Sequence, residues 1–307
     1  MNIQNVKLDW DSILERQINW LEKLYDSDQI RSSYEAIIPL LTENKIPSRV
    51  IISGGKVIAY AFYITDNDGN DRLYATMGFH NTLLDEQKIA SLLDWLKTES
   101  KRQNKTVIMN GIFNEPEKFK EIASKNGFNS INRVRMELSL DKIMLNEGKE
   151  DTRFTFNSIN KGNLTEACDL IFDAFRSLPE RILLPVGDNK TNMLAHSLMN
   201  STYGKLIEEI SYLASENDNA VGGAIFTDGS TELKRIPLLL FIFVLDEYRG
   251  QGISEAIMER AFLKIKKLGF EGVQLWVDKN NFAYKMYRKF GFQEYENEKT
   301  PIYYFNP

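Results

Sequence analysis

The chain has 307 residues, 43% of them hydrophobic and 26% charged, and carries a net charge of −5. These are globular proportions at a length that suits two domains, and they exclude a disordered or fibrous chain. The negative balance argues against a nucleic-acid partner, and the single cysteine, Cys168, excludes an intrachain disulfide or a cysteine zinc cluster.

Apolar spacing predicts a helix over 12–24 and a hairpin over 49–64 that turns at Gly54-Gly55. A strand over 71–79, a helix over 86–101, a strand over 106–112 and a helix over 115–125 follow. Alternation over 133–140 reads as a closing strand, and the polar stretch 145–151 as a linker. The second half repeats this order: a strand over 154–159, helices over 164–175 and 192–199, then a hairpin over 210–226 turning at Asn217-Asp218-Asn219. Next come a buried strand over 236–245, a helix over 254–268, a strand over 273–277, a helix over 282–290 and a last strand over 302–305. The amino-terminal Met1-Asn2-Ile3-Gln4-Asn5 lacks a basic-then-apolar signal pattern. The longest apolar run, 236–245, falls short of the roughly 20 residues that span a bilayer. The expectation is a cytoplasmic protein with no membrane partner, no metal site, and a monomer as a plausible state.

The two halves are related by more than element order. Lys125-Asn126-Gly127-Phe128 and Lys289-Phe290-Gly291-Phe292 end alike at an offset of 164 residues. The same offset pairs Gln87 with Gln251, Ile89 with Ile253, Phe62 with Phe226 and Val57 with Val221, without a gap. An internal duplication explains this pattern.

The segment richest in chemistry is Phe243-Val244-Leu245-Asp246-Glu247-Tyr248-Arg249-Gly250-Gln251-Gly252-Ile253-Ser254. An apolar strand enters a glycine-containing loop and then a helix. Backbone N–H groups of a first helical turn lack intrahelical partners, the helix dipole favours an anion there, and glycine lets a phosphate reach the backbone. No Gly-Lys-Ser/Thr follows, so the loop is not a Walker loop. The third glycine of a dinucleotide fingerprint is also missing.

A second motif follows: Asn280-x-x-Ala283-x-x-Met286-Tyr287-x-x-x-Gly291-Phe292. Together the two resemble the GNAT superfamily of N-acetyltransferases over about residues 152–307. Arg249-Gly250-Gln251-Gly252-Ile253-Ser254 matches its Gln/Arg-x-x-Gly-x-Gly/Ala loop except at the last position, where Ser254 stands for Gly or Ala. The resemblance implies an α/β (α+β) protein of two tandem GNAT-like domains, 1–145 and 152–307. Each would hold a central mixed, mostly antiparallel sheet flanked by helices. It also implies acetyl-CoA as co-substrate and a small-molecule amine as acceptor. Ile242, Phe243 and Val244 would pair through their backbone with the pantetheine arm. Arg249, Gly250, Gln251, Gly252, Ile253, Ser254 and Glu255 would hold the pyrophosphate. Asn280 would hydrogen-bond the cofactor arm, and Tyr287 would protonate the leaving thiolate.

The remaining polar residues read less sharply. Asp246, Glu247, Glu208, Glu209 and His196 are candidate bases, each equally well a surface residue. Lys264, Lys266 and Lys267 read as a solvated helix face within reach of a 3′-phosphate. Cys168 reads as buried packing, and His80 with Asn81 as a polar strand end.

In the first half the offset sets Asp85-Glu86-Gln87-Lys88-Ile89-Ala90 against the glycine loop, Pro116 against Asn280 and Ala123 against Tyr287. Two carboxylates stand where a pyrophosphate would bind, which is repulsive. Residues 1–145 therefore read as a degenerate domain without the cofactor loop. Two other functions are compatible with tandem GNAT-like folds: a Fem-like transferase using aminoacyl-tRNA, and a non-catalytic acyl-CoA sensor. The intact loop of the second half and the acidic balance favour the acetyltransferase.

Overall fold

The computed structural model describes residues 8–22, 27–65, 71–80, 85–142, 153–229 and 236–307. The expected linker at 145–151 and Asn81 lie outside them. In chain order the elements are α1 (Trp10–Leu21), α2 (Ser27–Thr42), β1 (Ser48–Ser53), β2 (Lys56–Thr65), β3 (Arg72–Phe79), α3 (Glu86–Gln103), β4 (Thr106–Asn110), α4 (Phe119–Lys125) and β5 (Asn129–Ser139). They continue with β6 (Phe154–Ser158), α5 (Leu164–Ala174), α6 (Lys190–Met199), β7 (Tyr212–Glu216), β8 (Asn219–Asp228), β9 (Pro237–Val244), α7 (Ile253–Lys267), β10 (Gly272–Asp278), α8 (Ala283–Phe290) and β11 (Gln293–Phe305).

Contacts divide the chain into two compact units, Met1–Ser130 with Pro301–Pro307, and Ile131–Thr300. In the first unit the sheet runs β1-β2-β3-β4 and ends on the last residues of β11, where Ile302 to Phe305 pair antiparallel with Asn110 to Val107. In the second it runs β6-β7-β8-β9-β10 and ends on β5, where Gly272 to Asp278 pair antiparallel with Ser139 to Arg133. Both sheets are antiparallel except for one parallel pair, β3 with β4 and β9 with β10. The linear halves 1–145 and 152–307 thus differ from the contact units at one strand each. The 164-residue offset superposes β5 on β11, and each closes the sheet of the opposite half. Alternation marks these segments as strands but says nothing about which sheet takes them.

Local chemistry sets the turns. Gly54 and Gly55 stand at φ +56° and +76°, and Asn217 and Asp218 at +50° and +65°. Two successive positive φ values match a right-handed strand twist in a two-residue hairpin. The helix α2, which the sequence reading did not include, carries Pro39 in its interior. Proline removes one helical hydrogen bond. Pro39 is exposed, so water can serve the freed carbonyl, while Tyr34, Ile38 and Leu41 bury against Trp10, Tyr60 and Phe62. Each such buried side chain contributes about 1.5–3 kcal/mol. In the second unit α7 buries Ile257, Met258, Ala261, Phe262 and Ile265 in the core that holds Ala224, Phe226 and Leu275. Cys168 is fully buried, and burial pushes its thiol up to about 12, which fits a packing role.

Candidate active site

The site begins with a divergence of two strands. β9 and β10 pair in parallel only at Leu238 with Gln274 and Leu239 with Leu275. Beyond that, β9 stays with β8 as far as Val244 opposite Gly222, and β10 stays with β5 as far as Asp278 opposite Arg133. The β8–β9 register shifts at Ile225/Phe226, which leaves Leu240 as an extra residue on β9. A bulge of this kind bends its strand. The gap opens into a cavity of about 670 Å³, walled by Leu240 to Val244 on one side and Trp276 to Asp278 on the other. Among the described residues, the β10-facing backbone of β9 has no strand partner past Leu239.

Gly222 and Gly223 make that bend possible. A Cβ on Gly222 would stand 2.7 Å from the Phe243 carbonyl oxygen, and one on Gly223 would stand 2.6 Å from both the Tyr212 carbonyl oxygen and Phe243 Cζ. Sequence reasoning did not single these two out, since paired glycines in a strand carry no chemistry of their own.

At the mouth of the gap the chain turns through Arg249 to Gly252 and enters α7. Gly250 and Gly252 have φ +75° and +80°, and nothing lies within 4 Å of where their Cβ atoms would be. Among the described residues, no side chain caps α7. The open space and the first-turn N–H groups form a cradle sized for an anion. Arg249 holds the loop in place. Its guanidinium donates to the Ala174 carbonyl at 2.6 Å and the Val244 carbonyl at 3.3 Å, pairs with Asp246 at 2.7 Å, and lies over the Phe282 ring.

Of the residues singled out from sequence, Ile242, Phe243, Val244, Arg249, Gly250, Gly252, Ile253, Ser254, Glu255 and Tyr287 all line this cavity. Gln251 and Asn280 do not. Gln251 is exposed and hydrogen-bonds Arg153 and the Glu247 carbonyl. Asn280 is also exposed, with its backbone N–H on Asp278 Oδ1 at 2.7 Å. Its neighbour Asn281 faces the cavity instead. There Asn281 Oδ1 accepts from the Ala283 N–H at 2.9 Å, and its Nδ2 donates to Glu180 Oε1 at 2.6 Å. Glu208, Glu209, Asp246, Glu247 and His196 are exposed and outside the cavity lining. Lys264, Lys266 and Lys267 sit in the last turn of α7, whereas Lys285 and Lys289 of α8 line the cavity.

Tyr287 is 5% exposed, and its hydroxyl donates to no described residue. Burial, then the Glu180 carboxylate, raise its phenol above the ordinary value of 10.0, so the group stays protonated at neutral pH. Glu180 was not singled out. It sits in a 3₁₀ turn over Pro179–Leu183, a segment without the periodicity that draws attention in a sequence.

The corresponding features of the first unit are closed. Phe113 continues the line of β4 along β3: its N–H donates to the Met77 carbonyl at 3.1 Å, and its carbonyl accepts from the Phe79 N–H at 3.0 Å. The first turn of α3 is capped by Asp85, whose carboxylate accepts from the Lys88 N–H at 2.8 Å.

Residues 208–294 match the family model described as acetyltransferase (GNAT) domain. Residues 208–294 of this chain are thus similar to a GNAT domain. Members of that family are acyl-CoA-dependent acyltransferases. Solved structures agree in fold. A GCN5-related N-acetyltransferase from Sphaerobacter thermophilus is 17% identical, with a TM-score of 0.57 over 85% of this chain and 81% of that one. A tandem GNAT protein from the clavulanic acid biosynthesis pathway is 12% identical, with a TM-score of 0.50 over 85% and 82%. A glucosamine N-acetyltransferase region of a fungal multi-domain enzyme is 14% identical, with a TM-score of 0.51 over 82% of this chain and 32% of that one. Comparison with curated protein sequences found no match. Among the described residues, no helix is long and apolar enough to cross a membrane.

Proposed function

We propose that the GNAT-like domain transfers an acetyl group from acetyl-CoA to the primary amine of a small molecule. The observation that carries this reading is the opening of β9 from β10 beyond Leu239, directly onto the glycine cradle of α7. Acetyl-CoA supplies an activated thioester carbonyl. The β10-facing edge of Ile242, Phe243 and Val244, on which Arg249 holds the Val244 carbonyl, offers a place for an extended amide-bearing arm. Arg249, Gly250, Gly252, Ile253, Ser254 and Glu255 form the pyrophosphate end, and Lys285 and Lys289 add positive charge beside it. Backbone N–H groups near Val244 would stabilise an oxyanion, a role worth about 2.7–4 kcal/mol where it has been removed in other enzymes. Tyr287 is held neutral by burial and donates its proton to the departing thiolate.

The first unit is read as a degenerate partner that binds no cofactor, because its own residues fill both places that a cofactor would use. Calorimetric titration with acetyl-CoA tests the whole reading. One site per chain, lost in Gly252→Asp and kept in Asp85→Ala, supports it, together with release of CoA thiol on adding an amine. No binding refutes the acyltransferase, and two sites refute the degenerate first unit.

A further inference from the structure

The reaction needs a group to receive the acceptor's ammonium proton. Asp246, Glu247, Glu208 and Glu209 do not line the cavity, Glu255 lines it at the exposed loop end, and both Asp278 oxygens already accept from the Asn132 and Asn280 N–H groups. Glu180 also lines the cavity. It is 9% exposed, its Oε1 is held by Asn281, and its Oε2 is buried with no hydrogen-bond partner. No cation among the described residues pairs with it. A buried carboxylate oxygen without a partner costs several kcal/mol, a cost that an incoming cation removes. Asn281 fixes the carboxylate next to Tyr287, on the same cavity.

Much of the lining contributed by α5, the turn of Glu180 and α6 is apolar: Ala174, Phe175, Leu178, Leu183, Leu184 and Leu194 line the same cavity, with Arg133, Tyr203 and Asp278 among its polar lining residues. A polyhydroxylated acceptor set against those six apolar side chains would bury hydroxyls without partners. An acceptor carrying a carboxylate or phosphate close to its amine would meet the charge of Glu180. What fits is one cationic nitrogen on an apolar body.

We propose that Glu180 seats the acceptor's ammonium group and takes its proton, and that the acceptor is a primary amine on an apolar body. This rests on the acyltransfer reading above. The ammonium loses one proton to Glu180, which becomes the neutral acid. The freed nitrogen lone pair forms the C–N bond to the thioester carbonyl, and the C–S bond breaks with its electrons left on sulfur. The thiolate takes the Tyr287 proton, and the nitrogen's second proton returns to Tyr287. Glu180 then releases its proton to solvent. The products are one amide, one thiol and one proton.

The test compares n-hexylamine, phenethylamine, glucosamine and lysine as acceptors, with acetyl-CoA as donor and thiol release as readout, on wild type and E180Q. The apolar amines should exceed glucosamine and lysine by at least about tenfold in kcat/KM. E180Q should lose about a hundredfold or more with hexylamine while binding acetyl-CoA as wild type does. The amide side chain of E180Q retains an oxygen for Asn281, and melting curves report whether the variant folds. A second measurement needs no variant: hexylammonium should bind wild type calorimetrically where hexan-1-ol does not. Preference for glucosamine, turnover of none of the four, equal binding of the alcohol, or wild-type kinetics in a folded E180Q would each overturn the proposal. A gain with octanoyl-CoA that abolishes the advantage of hexylamine would assign the apolar wall to the acyl chain and overturn the acceptor class. Failure of wild type to bind acetyl-CoA refutes the acyltransfer reading instead, and the hexylammonium titration still decides the amine seat.

Discussion

Gly252 allows charge and shape to be separated at the cradle. Its φ of +80° is a conformation that Asn and Asp tolerate better than other side chains, at about 1–2 kcal/mol of folding stability. Their Cβ has open space, so neither variant displaces a neighbour. Gly252→Asn and Gly252→Asp therefore differ in little but one negative charge. At about 5 Å from a phosphate that charge costs about 1–3 kcal/mol per phosphate charge, for an effective dielectric between that of water and that of a protein surface. A diphosphate doubles this to about 2–6 kcal/mol, or a loss of about 30-fold to 10⁴-fold in affinity. Acetyl-CoA titrations of the two variants, each checked for folding by its melting curve, give the ratio directly. The gap should narrow as salt is raised. If the Asp and Asn variants bind acetyl-CoA within a factor of three of each other, the pyrophosphate does not sit at the start of α7.

Three other outcomes follow from the same geometry. Tyr287→Phe should lower kcat by about 10²–10⁴-fold without changing acetyl-CoA affinity, and undiminished turnover would leave the ring a packing role only. Gly223→Ala should destabilise the protein by about 1–3 kcal/mol in urea unfolding, since the added methyl meets the Tyr212 backbone; an unmoved midpoint contradicts the close approach. Burial raises the Glu115 carboxyl above its ordinary 4.5, while the hydrogen bond from Tyr303 at 2.5 Å opposes the rise. Folding thus takes up a proton at Glu115, whose contribution is full below its ordinary range and is lost as pH rises through the raised folded value. Relative to wild type, Glu115→Gln should therefore gain stability as pH rises above the ordinary carboxyl range, and a pH-independent difference in urea melts contradicts this.

What the sequence made legible was what local chemistry decides. The hairpins are legible because Gly54-Gly55 and Asn217-Asp218 have few other uses than positive φ, and β9 because a continuous apolar run reads as a strand buried on both faces. The loop residues and Tyr287, which line the cavity, stand out in the sequence through their resemblance to family motifs. What the sequence leaves unread depends on contacts between distant residues. The destinations of β5 and β11 are set by pairing partners, not by their own alternation. Asn280 and Asn281 are chemically the same in a motif. The Asp278 carboxylate takes the Asn280 N–H, and the Asn281 side chain, bonded to the Ala283 N–H, is the one that faces the cavity. Glu180 is visible only once the fold brings its turn onto Asn281, 101 residues away.

The two units differ in how the chain satisfies its own backbone groups at matching places. Backbone donors and acceptors must find partners wherever they are shielded from water. In the first unit the chain supplies them: Phe113 covers the end of β3, and the Asp85 carboxylate covers the start of α3. In the second the matching edge beyond Leu239 and the start of α7 stand open. Such groups are satisfied only by solvent or by a ligand, so a ligand that fits them adds stability at those amides in particular. At a hundred times its Kd a ligand adds about 2.7 kcal/mol to the state it binds. Hydrogen exchange with and without acetyl-CoA at that excess reads this residue by residue. Slowing should concentrate at 240–244 and 253–256, while 77–79, 85–89 and 113 keep their rates. Slowing at the start of α3 as strong as at the start of α7 would mean that Asp85 yields its place to the ligand, and that the first unit kept its site.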